Sequence, residues 1–310
     1  MNQLSPTGVK PHIAICVCTF KRPQLLAQLL RELADQRTDG LFDYSISIVD
    51  NDASDSVREI VARAGAESRM PISYEVEQEQ NIALARNKAV KNSAGDFVAF
   101  IDDDEVPNND WLFRLYQACC SYRADGVLGP VLPRFAEAPP DWAVKAGFFE
   151  RPNSQDYPSG LVLACHQTGT GNALVRRDVL NAVEGPFRKD FGSGGEDIDF
   201  FRRAMAAKSV FVWSREAVVH EIIPIERTRV SFQLRRALLR GKGALAAPSG
   251  SPLGLLKSIV ACGVYTLLLP LVFLTGRQHF LKYLIKTCDH LGKILAAFRI
   301  DVVREKYVLN

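Results

Sequence analysis

The sequence predicts an α/β fold in which a mainly parallel central sheet carries helices on both faces. Two patterns predict it. Through the first hundred residues, apolar runs of strand length alternate with helical runs, the first with leucines recurring at helical spacing. Polar residues then gather where three of the strand runs end, as expected of a sheet whose ligands bind beyond the carboxyl ends of its strands.

The elements follow in order. “HIAICVCTF” reads as the first strand, and “RPQLLAQLLRELADQ” as a helix with Leu25, Leu26, Leu29, Leu30 and Leu33 on one face. “YSISIVD” is the second strand. “SDSVREIVARAG” is a helix with Ser54 as its cap and Gly65 as its stop. “ISYEVE” is a third strand, “NIALARNKAVKNSAG” a helix ending near Gly95, and “DFVAFID” a fourth strand. Residues 134–165 read as loop, with “EAPPDW” and “RPNSQDYPSG” as breakers. “GTGNALVRRDVL” is a strand running into a helix. “FGSGGEDIDFFRRAMAAK” is a glycine-rich approach to a helix, and “VFVWS” and “AVVHE” are short strands.

The C-terminal part differs in character. Residues 226–310 hold 14 Lys and Arg against 4 Asp and Glu, whereas residues 1–225 hold 24 against 31. A basic segment on an acidic body suits an anionic partner, and its company with an apolar run favours a membrane surface over nucleic acid. From Ser258 to Gly276 there are 19 uncharged residues, interrupted by Pro270. That only just meets the length of about 20 needed to cross a bilayer. “RQHFLKYLIKTCDHLGKILAAFRI” sets Lys282, Lys286 and Lys293 apart from an apolar face, as in a basic helix at a membrane surface. The expected organisation is a tail at 1–11, a catalytic domain at 12–225 and a membrane-associated helical segment at 226–310. The seven cysteines lack zinc-ligand spacing with histidine and read as reduced thiols in a cytosolic setting. The N-terminus shows no charged-then-apolar pattern, so no signal peptide is expected.

“FIDDDE” ends a core strand on four carboxylates. Such a cluster is either a solvated strand end or a grip for a hard divalent cation, Mg²⁺ or Mn²⁺, which commonly bridges carboxylates to substrate phosphates. No GxxxxGK[ST] loop is present, which argues against a P-loop nucleotide site.

In order, “CTFKRP”, “VDNDASD”, “NIALARN”, “FIDDDE”, “GTGNALVRR” and “GGEDIDFFRR” closely resemble the inverting family 2 glycosyltransferases of GT-A fold, over about residues 12–222. “CTFKRP”, “FIDDDE” followed by “DW”, and “GGEDIDFF” look most like bacterial glucosyltransferases of succinoglycan-type exopolysaccharide assembly. Those extend a polyprenyl-diphosphate-linked oligosaccharide from UDP-glucose. The resemblance implies that Asp104 ligates the metal and that Asp102 or Asp103 touches the ribose or a metal-bound water. It implies that Asp50, with Asp52 nearby, contacts the uracil. Thr19 and Arg22 would border the nucleotide, and Arg86 would approach the nucleotide-sugar. Asp197 matches the catalytic base with Glu196 beside it, and His220 a further metal or diphosphate contact. A lone histidine near a strand end equally suits a structural role. “RTRVSFQLRRALLRG” lacks the Trp of the Gln-x-x-Arg-Trp element of processive synthases, which favours addition of a single sugar.

The chemistry needs one carboxylate to take the acceptor proton on the face opposite the departing UDP, apart from the metal cluster. “GSGG” lets backbone approach a ligand, and the helix N-terminus that follows stabilises negative charge near Asp197. An acidic first turn is also a common feature of ordinary helices. The competing readings are a metal-dependent nucleotidyltransferase and a non-catalytic sugar- or lipid-binding scaffold. “CTFKRP” is poor in the glycine the former needs, and both acidic sites are intact against the latter. The expected location is the cytoplasmic face of the inner membrane, peripheral or re-entrant. A re-entrant or interfacial hairpin is favoured over a full span, and the alternative is a C-terminal helical hairpin packed on the body.

Overall fold

A computed structural model describes residues 10–149, 156–192, 194–246 and 252–303. Most of the expected N-terminal tail and the “RPNSQ” breaker lie outside the described residues. The chain divides into two compact units, one of Met1–Leu132, Arg151–Gly192 and Glu196–Glu221, the other of Pro133–Glu150, Ser193–Gly195 and Ile222–Asn310.

In the first unit, β1 (His12–Thr19), β2 (Asp43–Asp50), β3 (Ile72–Val76), β4 (Phe97–Ile101), β6 (Gly126–Leu128), β8 (Asn172–Arg176) and β9 (Phe211–Trp213) form one sheet in the order β3-β2-β1-β4-β8-β6-β9. β1 pairs in parallel with β2 on one side and β4 on the other, so the strand order reverses at β1. β8 runs antiparallel to β4 and β6, which makes the sheet mixed but mostly parallel. A second sheet has the order β5 (Glu105–Pro107), β10 (Val219–Ile223), β7 (Val131–Phe135).

The period of two along each strand sorts side chains between two cores. Ile13, Ile15, Val17, Phe97, Ala99 and Ile101 face one side, packed with α1 (Pro23–Leu33), α2 (Arg58–Glu67) and α4 (Trp111–Tyr122). Cys16, Val98 and Phe100 face the other, with α3 (Ile82–Lys91), α6 (Arg177–Ala182) and α7 (Glu196–Ala206). A run of ring contacts from Phe100 through Phe187, Phe200 and Phe201 to Phe211, edge-to-face except for the tilted Phe187–Phe200 pair, fills that second layer. All seven cysteines are free, and burial pushes the Cys16 and Cys18 thiols up to about 12.

One helix departs from the sequence reading. α2 starts at Arg58 and runs past Gly65 to Glu67. Ser54 does not cap it, because the Ser54 hydroxyl and amide both donate to Asp52. Gly65 is not among the glycines with positive φ, so it does not take the left-handed conformation that ends a helix. Residues 134–165, read as loop, contain α5 (Asp141–Ala146).

The second unit is helical: α5, α8 (Val230–Ala246), α9 (Pro252–Phe273) and α10 (Arg277–Ala297). Trp142 and Ala143 of α5 pack with Leu281 of α10. α8 and α10 cross closely at two glycines. A Cβ on Gly241 would fall 2.1 Å from the Asp289 carbonyl oxygen, and one on Gly292 2.2 Å from that of Leu238. Leu253–Phe273 is long and apolar enough to cross a membrane and is almost entirely unburied.

Candidate functional site

The carboxyl ends of β1, β2 and β4 bring three polar clusters to one edge of the sheet, as the sequence led us to expect. Thr19 and Asp50 are register partners at the tips of β1 and β2, and the Asn51 amide donates to the Thr19 carbonyl at 2.8 Å. Asp50 is fully buried. Its Oδ1 accepts from the Asp52 amide at 3.0 Å, and its Oδ2 accepts from the Tyr74 hydroxyl at 3.3 Å. Burial raises its pKa, with the Asp52 and Tyr74 bonds opposing. Asn51 organises the neighbouring turn. Its Nδ2 donates to the Glu77 and Glu79 carbonyls, and its Oδ1 accepts from the Asn81 amide. Asn81 in turn caps α3, accepting from the Ala83 and Leu84 amides.

The acidic strand end is held by arginine. After the left-handed turn at Lys21 (φ 55°), Arg22 Nη1 donates to Asp103 Oδ1 and Asp104 Oδ2, both at 2.9 Å. Thr19 Oγ1 donates to Asp103 Oδ2 at 2.8 Å. Asp103 and Asp104 are buried, whereas the Asp102 carboxylate is 42% exposed. Burial pushes the Asp103 carboxyl up to about 6, against the pull of Arg22. Burial would lower the Arg22 pKa, but Asp103 and Asp104 outweigh it and hold the guanidinium charged.

Arg86 joins this cluster to the helix that carries the candidate base. From the buried face of α3, its Nη2 donates to Asp102 Oδ1 at 3.2 Å and its Nη1 to Glu196 Oε1. Burial lowers its pKa, and Asp102 and Asp197 more than compensate. Glu196 is 2% exposed, and its Oε2, like the buried Thr170 Oγ1, has no hydrogen-bond partner among the described residues. Asp197 is half-buried in the first turn of α7, its Oδ2 3.4 Å from where Gly169 would carry a Cβ. Gly194 (φ 128°) and Gly195 (φ 92°) lead into that turn with backbone that disfavours any side chain. Further along α7, Asp199 accepts from Arg188, Arg202 and Arg203 and fixes the helix start against its surroundings.

The structure thus brings Thr19, Arg22, Asp103 and Asp104 into one network and Arg86, Asp102 and Glu196 into another, with Asp197 next to Glu196 in the chain and acting on Arg86 electrostatically. Asp50 and Asp52 form a third group beside them at the sheet edge. His220 sits on β10 opposite Val106, in the strand that leaves the acidic cluster. Among the described residues, no three His, Cys, Asp or Glu side chains form a group able to hold a metal ion. Asp102, Asp104 and His220 therefore do not make a complete protein cage.

Sequence reasoning missed the scaffold beneath these groups. Trp111 Nε1 donates to Asn172 Oδ1 at 2.8 Å, and Asn172 Nδ2 donates to the Pro130 and Ala217 carbonyls. It also missed that Arg86 is a buried bridge. Its setting among Ala83, Ala85 and Ala89 carried that signal, since a cation on a buried helix face must find carboxylates.

Comparison with known proteins gives the following. The family described as “Glycosyl transferase family 2” matches residues 14–183. The succinoglycan biosynthesis protein ExoM of Rhizobium meliloti (strain 1021) is 37% identical over 74% of this chain and 73% of its own length. The mannosyltransferase PcManGT from Pyrobaculum calidifontis, solved with GDP-Man and Mn²⁺, superposes with a TM-score of 0.61 at 17% identity, covering 96% of this chain and 89% of that one. S. aureus TarS 1–349, solved with UDP-GlcNAc, gives a TM-score of 0.56 at 13% identity, covering 94% and 93%. The chain spans 40% of the longer TarS structure. At these identities the solved structures establish a shared fold.

Proposed function

The chain belongs to glycosyl transferase family 2, and from that premise we propose that it moves a single sugar, glucose in our reading, from a UDP-sugar to a polyprenyl-diphosphate-linked oligosaccharide, with inversion. The process would be exopolysaccharide assembly, a reading supported by the similarity to ExoM. The observation that carries the proposal is the Arg86 bridge. It ties the acidic strand tip at Asp102 to Glu196, one residue from the candidate base Asp197.

Mg²⁺ or Mn²⁺ fits the residues present. The carboxylates of Asp102, Asp103, Asp104 and Glu196 pair with the guanidiniums of Arg22 and Arg86, and a UDP-sugar would bring its own negative charge to this strand end. A divalent ion is commonly bound by one or two carboxylates plus substrate phosphates, which suits an incomplete protein cage. Asp104 and the exposed carboxylate of Asp102 would hold it, with His220 as a further contact. When bound, such an ion neutralises the charge developing on the departing diphosphate.

The chain's own residues divide the remaining work. Asp197 takes the proton from the acceptor hydroxyl as that oxygen attacks the anomeric carbon. Arg86 and Glu196 fix the distance between base and acidic cluster. Asp103, saturated by Thr19 and Arg22, keeps Arg22 beside the nucleotide, and Asp50 with Asp52 receives the uracil. The basic, apolar C-terminal helices hold the enzyme at the cytoplasmic face of the inner membrane, raising the effective concentration of bilayer-anchored acceptors.

The test is a panel of nucleotide-sugars with membrane lipid extract. Release of UDP with a lipid-linked product from UDP-glucose is expected. Release of CDP, GDP or pyrophosphate instead would overturn the proposal.

A further inference from the structure

The outer face of α9 is apolar from end to end. Leu256, Val260, Val264, Leu267 and Leu271 recur every three or four residues and are all exposed, Leu267 at 79%, and Leu274 in the turn just after the helix is exposed at 81%. Soluble surfaces rarely leave such a stripe in water. The opposite face packs along α10. Phe273 meets Phe280, Tyr265 meets Tyr283 and stacks on His290, and the Cys262 thiol approaches the Thr287 carbonyl.

That packing decides how a bilayer can take the stripe. Stood upright, the 21 residues Leu253–Phe273 would reach about 31 Å, the thickness of a hydrocarbon core. But Tyr265, near the helix midpoint, lies against Tyr283 and His290, and Lys286 sits over the Tyr265 ring at 5.8 Å. An upright α9 would carry Lys286, Asp289 and the Arg240 paired to Asp289 to the bilayer centre, where charge is strongly disfavoured. Lying flat, α9 sinks its stripe among the acyl chains while Lys257, Arg277, Lys282 and Lys286, all exposed, stay at headgroup level.

We infer that α9 is an in-plane anchor: it enters one leaflet of an anionic bilayer side-on, and the lysines and arginine around it bind the headgroups. This deepens the membrane part of the proposed function and is independent of the donor and the chemistry.

The experiment places single tryptophans at Leu256, Val264 and Leu271 in the full chain and adds vesicles of phosphatidylglycerol with phosphatidylcholine brominated at shallow or deep chain positions. The native Trp111, Trp142 and Trp213 are buried, so the new residues report. The inference predicts that all three are quenched alike, best by shallow bromines. Strong deep quenching at Val264 alone would show a span and overturn it. Absence of quenching, with light scattering showing a dimer, would assign the stripe to a second copy of the chain. Leu267→Glu should cut vesicle binding at least tenfold while UDP binding stays unchanged. Unaltered vesicle binding would equally overturn the inference. Because UDP binding is read separately, failure of the anchor is distinguishable from failure of the glycosyltransferase reading.

Discussion

Replacing Arg86 with methionine is the sharpest structural test. The side chain keeps its bulk and loses its charge, leaving Glu196, 2% exposed and already with one unpartnered oxygen, as a buried carboxylate without a counter-ion. Removing one partner of a buried ion pair typically costs about 3–5 kcal/mol. Asp102 contributes little to that figure, since its carboxylate is 42% exposed and its share is that of a surface pair, below about 1 kcal/mol. The loss is large against a total stability of about 5–15 kcal/mol. Urea denaturation at pH 7 measures it. Adding Glu196→Gln to Arg86→Met removes the stranded charge and should recover more than half of the loss. A single-variant cost under about 1 kcal/mol, or a double variant no more stable than Arg86→Met, would refute the bridge.

Three further outcomes are expected. Asp104→Asn should remove the dependence of UDP-sugar binding on divalent cations in calorimetry, and equal affinity with and without EDTA in both proteins would dismiss the metal. Asp197→Asn should keep donor binding while transfer falls by about 10²–10⁴-fold, the range of a general base; near-normal turnover would reassign that role. Asp199→Asn should destabilise the protein at neutral pH by about 2–4 kcal/mol, toward the low end because Arg188 and Arg202 remain partly solvated. Burial raises the Asp199 pKa, but its three arginine bonds outweigh it and leave the carboxylate lowered overall. Its stabilisation is therefore present above the unfolded value of about 3.9 and is lost as pH falls through the lower folded one. The stability difference between the two proteins should vanish in acid, and a difference independent of pH would contradict it.

The parts of the fold legible in the sequence are those whose signal is local. β1 to β4 are apolar runs closed by polar residues, and α1 shows its face in leucine spacing, so these elements lie where the sequence put them. α3 ends at Lys91, short of the expected stop near Gly95. β5 and β6 span three residues each, too few for a period to emerge, whereas the equally short β9 falls within the “VFVWS” run read as a strand. α2 was misplaced because Ser54 found Asp52 before it found a helix. The site shows the same division. The clusters at Thr19, Asp50 and Asp102–Asp104 follow from strand ends, which sequence marks. Their partners do not: Arg22 meets Asp103 across 81 residues and Arg86 meets Glu196 across 110. Such pairings depend on which strands neighbour β1, and composition does not encode strand order.

The central claim is that a carboxylate on α7 draws the acceptor proton from the side of the sugar away from the departing diphosphate. The anomeric configuration of the product, read by proton NMR after transfer from an α-linked UDP-sugar, tests it most directly. A β-linked product is predicted, and an α-linked product would contradict the account.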